Sequence, residues 1–195
     1  MNYKILIAAA LAAAVVEAST VEEQLPEGWF KNGSAVQECQ AGVDTDLAAS
    51  GTANITLKCD TDVTGFVSFM QQFSAEAYRG NRLRYSAWVK ADGVGGWGGL
   101  WMRVDEVLNR ETAAFDNMQN RLIKDTRDWQ RYDIVLDVAP TAEAISIGML
   151  LSEGRGQLWV RDMQLEVVGS NTPVTDLHTG QRRLPLEPVN LQLIR

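Results

Sequence analysis

The residues able to do chemistry in this 195-residue chain are few in kind: two cysteines, one histidine, scattered carboxylates and six tryptophans. His178 stands in a C-terminal segment that carries no periodic pattern, so no Ser-His-Asp set can be assembled around it. Two cysteines and a single histidine do not make a zinc cage. A glycosidase pair needs two carboxyl groups about 5–9.5 Å apart. The pair on offer is Asp105 and Asp116, which flank the turn 106–114 and would face each other across a hairpin. Turn capping and salt bridging are the ordinary uses of carboxylates so placed, and a polysaccharide hydrolase stands third among the functional readings. Gly93, Gly95, Gly96, Gly98 and Gly99 surround Trp97, but no helix follows them and no Lys-Ser/Thr pair is present, so this is neither a dinucleotide fingerprint nor a P-loop. It reads as a loop feeding a strand edge.

Recognition is the chemistry that remains. Leu100-Trp101-Met102-Arg103-Val104 alternates with period two, which sends Leu100, Met102 and Val104 to the core and Trp101, Arg103 and Asp105 the other way. An outward tryptophan between polar neighbours marks a binding surface. Sugars suit it: the aromatic ring takes the C–H face, while guanidinium, carboxylate and amide groups bond the hydroxyls. Asn117, Gln119 and Arg121 share one parity across the expected hairpin, and Trp88 with Gln71 or Gln72 would extend the strip. Trp97 is expected to be the most exposed of the six tryptophans and to close over a ligand. The expected ligand-binding set is therefore Trp88, Trp97, Trp101, Arg103, Asn117 and Gln119. The competing role for Trp101 is to fill a second small core under a long loop. Trp129 reads as core or edge packing, and Trp29-Phe30 as the anchor of the N-terminal strand. Asp162 is a weak candidate for Ca²⁺, which takes six to eight oxygens. The sequence singles out no other ligand for it, and no other metal or cofactor is expected.

The elements that would carry this face are short strands between turns. Residues 54–58, 65–73, 83–90, 100–104, 129–138, 144–151 and 156–168 alternate or run apolar, with Gly, Asp and Asn between them. Val67, Phe69, Gln71 and Phe73 share one side of their strand, and Phe66, Ser68, Met70 and Gln72 the other. Ser74 to Gly80 starts with a cap and stops at a glycine, enough for about one helical turn. The expected fold is all-β, an antiparallel β-sandwich or jelly roll with at most one short helix. Cys39 and Cys59 end two runs that would pair antiparallel around the turn 43–52, so a disulfide is expected between them.

Lys4 followed by an apolar run from Ile5 to Val16 has the form of a signal peptide, with cleavage expected after Ala18. The run is too short to span a bilayer, which takes about 20 residues. The remaining chain divides into a linker (19–27), a sandwich domain (28–168) and an extended tail (169–195) that holds three of the five prolines. Val189 to Leu193 would pack as an edge strand. Cleavage removes Lys4 and Glu17, one charge of each sign, and leaves the net charge at −7. An acidic chain does not attract nucleic acid or anionic lipid. The expected location is periplasmic or secreted, without membrane insertion after cleavage.

Three stretches, Ser74 to Gly80, Gly98 to Asp105 and Ala114 to Arg121, together with Gly156 to Asp162, resemble a bacterial β-sandwich domain. That domain is found alone or behind AraC-type helix-turn-helix regions and is often labelled a transcriptional regulator. The resemblance covers roughly residues 28–175. No pair of amphipathic helices with a basic recognition face occurs in this sequence. More distantly, Asp128-Trp129 after a late turn and Trp159-Val160-Arg161-Asp162 in a final strand are similar to galactose-binding-like carbohydrate-binding modules. The resemblances imply a sandwich that binds a carbohydrate or another polar small ligand on its concave sheet without catalysis. The alternative is an envelope structural or interaction module that docks a protein partner through the sheet face or the tail.

Overall fold

The computed structural model describes residues 25–44, 54–106, 111–177 and 191–192. The signal-like segment, its cleavage site, His178 and most of the tail lie outside the described residues. Among the described residues there are seven antiparallel strands: β1 (Trp29–Gly33), β2 (Cys39–Asp44), β3 (Asn54–Ser74), β4 (Arg82–Glu106), β5 (Glu111–Asp116), β6 (Ile123–Asp137) and β7 (Ala142–Val168). The helix expected after Ser74 is a single 3-10 turn, Glu76–Tyr78.

Three of the strands are far longer than the expected runs, and that length builds the sandwich. β4 and β7 pair from Arg82↔Val168 to Glu106↔Ala142, interrupted between Asp92 and Trp97. This ribbon bends near its middle, and β3 bends with it across register shifts between Cys59 and Phe66. The first half of β4, the second half of β7 and the first half of β3 form one layer, flanked by β6 and β2. The other halves form the second layer, flanked by β5 and β1. The result is the expected antiparallel β-sandwich.

Alternation then fills the interior. Leu83, Tyr85, Ala87 and Val89 from one layer and Val67, Phe69, Leu100, Met102 and Val104 from the other belong to a single buried cluster. Trp29 joins it with its ring 5.1 Å from that of Phe69.

The glycine-rich stretch is not a free loop but the bend of β4, with pairing to β7 up to Asp92 and again from Trp97. A Cβ on Gly96 would sit 2.0 Å from the carbonyl oxygens of Ser152 and Glu153. The glycine is therefore what lets the two backbones of the ribbon close at the corner.

Cys39 and Cys59 are bonded and face each other directly in the β2–β3 register, with Cα atoms 4.4 Å apart. The bond closes a span of 20 residues. Replacing both cysteines with alanine is expected to lower the free energy of unfolding by about 3 kcal/mol, measured by urea denaturation with the sheet signal of the folded protein unchanged. A loss well under about 1 kcal/mol would show that pairing in β2–β3 already restrains the unfolded chain.

The first residues after β7 run across the sandwich's edge. Thr175 exchanges hydrogen bonds with the backbone of Val135, and Leu177 N–H donates to the carbonyl of Phe115. Residues 175–177 thus cover the outer edges of β6 and β5 together, which protects unpaired strand groups.

Candidate functional site

The alternation of β4 places Trp101 and Arg103 on the outer face of the second layer. β7 lies beside this segment, and Gly148 is the Cα partner of both Trp101 and Met70 of β3. A side chain at 148 would meet Trp101 Nε1 at 2.9 Å and Met70 Cβ at 2.9 Å. Its absence lets the indole lie across β7, where its N–H donates to Ser68 Oγ at 2.6 Å. Ser68 in turn donates to the carbonyl of Met149 at 3.2 Å, so every polar atom of this short chain is bonded.

Trp101, Met70 and Leu150 form the floor of a groove, each less than a tenth exposed. Trp97 and Phe115 pack against that floor and remain partly open. Phe66, 45% exposed, stands at the rim with Asn32, Arg103 and Asn117. The groove holds about 250 Å³. The Arg103 side chain, 40% exposed, is fixed by Asp105, whose carboxylate accepts from Nε at 2.9 Å, while Thr112 bonds the other oxygen at 3.4 Å. Among the described residues the groove is lined by no carboxylate, thiol or imidazole. It offers aromatic faces below and amide, hydroxyl and guanidinium groups around them.

Four of the six expected binding residues, Trp97, Trp101, Arg103 and Asn117, line this groove. Trp101 points outward as the alternation requires, yet it is only 7% exposed, so it is a floor and not an open platform. Trp97 is partly buried; the tryptophan that stands fully in the exposed class is Trp88. Trp88 lies elsewhere, paired with Arg131 and Arg161 in the first layer, because β4 has bent between the two tryptophans. Gln119 is also apart. β5 stops at Asp116, and Asn117 to Arg121 form a turn with Met118 at a φ of 62°, so the expected strand parity does not continue. Of the two glutamines offered as extensions, Gln72 faces outward and donates to Ser146 Oγ at 3.1 Å, away from the groove.

Asp105 and Asp116 do not face each other: Asp116 pairs with Met102 and Asp105 with Thr112. Asp116 is fully buried and held by Arg121. Trp129 lies under the Arg161 guanidinium, 4.3 Å from ring centroid to Cζ. Asp162, at a φ of 53°, has Arg161 3.7 Å away, and no group of three metal-ligating side chains occurs among the described residues.

Asn32, Phe66, Ser68, Met70, Phe115, Leu150 and Ser152 were not among the expected site residues. The signal for three of them was present, since Phe66, Ser68 and Met70 share the outward side of their strand. What was missing was the order of strands that sets β3 and β4 on either side of β7.

No family model matches the chain. It is 40% identical over 177 residues to an uncharacterized HTH-type transcriptional regulator, YbfP, of Bacillus subtilis (strain 168), a match that covers 90% of this chain and 59% of the relative. The chain thus spans about three-fifths of that protein's length, and its described residues contain no helix beyond the 3-10 turn. Among solved structures, the xylan-binding CBM22-1 domain from Paenibacillus barcinonensis superposes with a TM-score of 0.51 at 15% identity, over 76% of this chain and 91% of that one. A family 30 carbohydrate-binding module superposes with a TM-score of 0.53 at 16% identity, over 71% and 92%. The chain therefore resembles, in sequence, a large part of a protein named as a helix-turn-helix regulator, and it has the fold of the carbohydrate-binding sandwiches.

Proposed function

We propose that this chain is a non-catalytic binding domain that takes a neutral glycan along the groove floored by Trp101. One observation carries the reading: a cluster of aromatic side chains (Phe66, Trp97, Trp101 and Phe115) is kept at the surface of a sheet and ringed by Asn32, Arg103 and Asn117. Apolar surface of this kind is costly to leave in water unless a ligand covers it. The polar groups beside it match the hydroxyls of a sugar, whose C–H faces need an aromatic floor. Among the described residues no carboxylate, thiol or imidazole is part of the lining, which favours binding over hydrolysis. The shared fold with the xylan-binding domain adds fold-level analogy to this reading and no more.

The disulfide supports an exported protein, since such bonds persist in oxidising compartments. The regulator-like relative supports a sensory version of the same reading, in which glycan binding is the input and other parts of such a protein give the response.

Tryptophan fluorescence of the full chain, titrated with xylohexaose, cellohexaose and mannohexaose, tests the proposal. A saturable change with at least one of them is expected, accompanied by a rise in melting temperature. Ligand at 100 times its dissociation constant adds about 2.7 kcal/mol to stability. No saturable response to any neutral oligosaccharide would sink the glycan reading and turn attention to a protein partner.

A further inference from the structure

A second cavity lies between the two layers, away from the groove. β7 leaves the first half of β3 after Val160, the last residue in that register. Beyond it, Met163, Gln164 and Leu165 stand across a gap from Trp29, Gln71 and Phe73 of the other layer. The gap is open on one side and holds about 420 Å³, within the range of small-molecule pockets.

Its chemistry differs from that of the groove. Trp29, Phe73, Tyr78 and Tyr85 supply aromatic walls, and among the described residues no charged side chain lines the gap. Phe73 and Tyr78 meet edge to face with centroids 5.9 Å apart, which fixes that wall. Tyr85 is 1% exposed, and its hydroxyl has no hydrogen-bond partner among the described residues. A phenol buried without a partner is destabilising, so phenylalanine would serve better here unless something bonds the hydroxyl. Burial pushes the Tyr85 pKa up, which keeps the phenol neutral and able to donate. The Gln164 carbonyl oxygen accepts from Arg131 Nη2 at 3.1 Å, which leaves the amide N–H groups for another acceptor. A charged ligand would find no counter-charge in this lining.

We propose that this gap is a second binding site, for a compact uncharged molecule whose ring lies between the aromatic walls and whose oxygen accepts a hydrogen bond from Tyr85. Cyclohexanone, neutral and acceptor-only, is the probe. It is titrated into the full chain while the Trp29 indole N–H is followed by NMR. Saturable shifts are expected. Tyr85→Phe keeps the ring and removes the donor, so it should weaken binding about fivefold. Met163→Trp, at a position 36% exposed and tolerant of bulk, should close the mouth and abolish it. It decides the matter if the core variant does not fold. Saturable binding weakened by either variant supports the site. No saturation in the wild type, or wild-type binding in both variants, overturns it.

Discussion

Truncating Trp101 to alanine is expected to abolish glycan binding and to cost about 3–5 kcal/mol of stability. The two effects share one cause. The indole is 7% exposed and is the largest member of the small outer cluster with Met70 and Leu150. Its removal opens a cavity over β7 where Gly148 contributes no side chain, so little is available to fill the space. Ser68 loses the donor at its oxygen, although its own bond to Met149 remains. Binding and folding are separated by two milder changes. Trp101→Phe keeps most of the apolar floor and deletes the N–H, while Trp97→Ala removes a partly exposed wall and leaves the floor intact. Both should fold, and both should weaken oligosaccharide binding by about tenfold or more, on the scale of 1–3 kcal/mol for one aromatic contact at a surface site. Calorimetric titration of the three variants, set beside their urea midpoints, makes the comparison. Wild-type affinity in Trp101→Phe and Trp97→Ala together would remove the groove from the binding reaction, whatever happens to the alanine variant at 101.

Local alternation was legible in the sequence, and long-range order was not. Leu100, Met102 and Val104 inward with Trp101 and Arg103 outward follows from the period of a strand alone, and the structure repeats it. The same holds for Val67 and Phe69 against Ser68 and Met70. The disulfide was legible for a similar reason: two runs of matching length around one turn leave few other registers, and Cys39 meets Cys59 directly. Strand length was misjudged because glycines and single polar residues read as turn signals. At Gly93 to Gly99 they mark a bend inside β4, and pairing with β7 resumes at Trp97. Reading that stretch as a free loop left Trp88 free to be set beside Trp101, whereas the bend puts the two tryptophans in different layers. The strand parity expected for Gln119 does not hold, for a different reason. The carboxylate of Asp116 accepts from the Met118 backbone N–H two residues on and turns the chain, and no periodicity reports such a bond. The cavity beside Tyr85 gave no sequence signal, because an inward tyrosine at a strand position reads as core whether or not its hydroxyl is bonded.

Arg121→Ala is expected to cost about 3 kcal/mol, through the carboxylate it leaves behind. Asp116 is fully buried, and Arg121 grips it with two parallel bonds, Nη1 to Oδ1 at 3.0 Å and Nη2 to Oδ2 at 2.7 Å. Met118 N–H adds a third at 2.7 Å. The same guanidinium donates to the carbonyl of Asp133 at 3.0 Å, so it ties the end of β5 to β6. Without Arg121 the carboxylate keeps one backbone donor and loses its counter-charge in a site closed to water. Arg121 is itself about a third exposed, which screens part of the attraction and places the expected loss at the low end of the range for broken buried pairs. Arg121→Lys should recover only a fraction, because an ammonium cannot reproduce the fork. Adding Asp116→Asn to Arg121→Ala should restore part of the loss by removing the stranded charge. A double-mutant cycle in urea reads this directly, with a coupling of about 1–3 kcal/mol expected for groups in contact. The turn between these residues also carries Asn117 at the groove rim, so Arg121→Ala should weaken glycan binding as well, without any contact between Arg121 and the ligand. Additive losses in the cycle would mean that the turn is held by its backbone bonds and that the ion pair follows from its shape. Coupled losses that also lower affinity would make this buried pair the support on which one side of the groove is built.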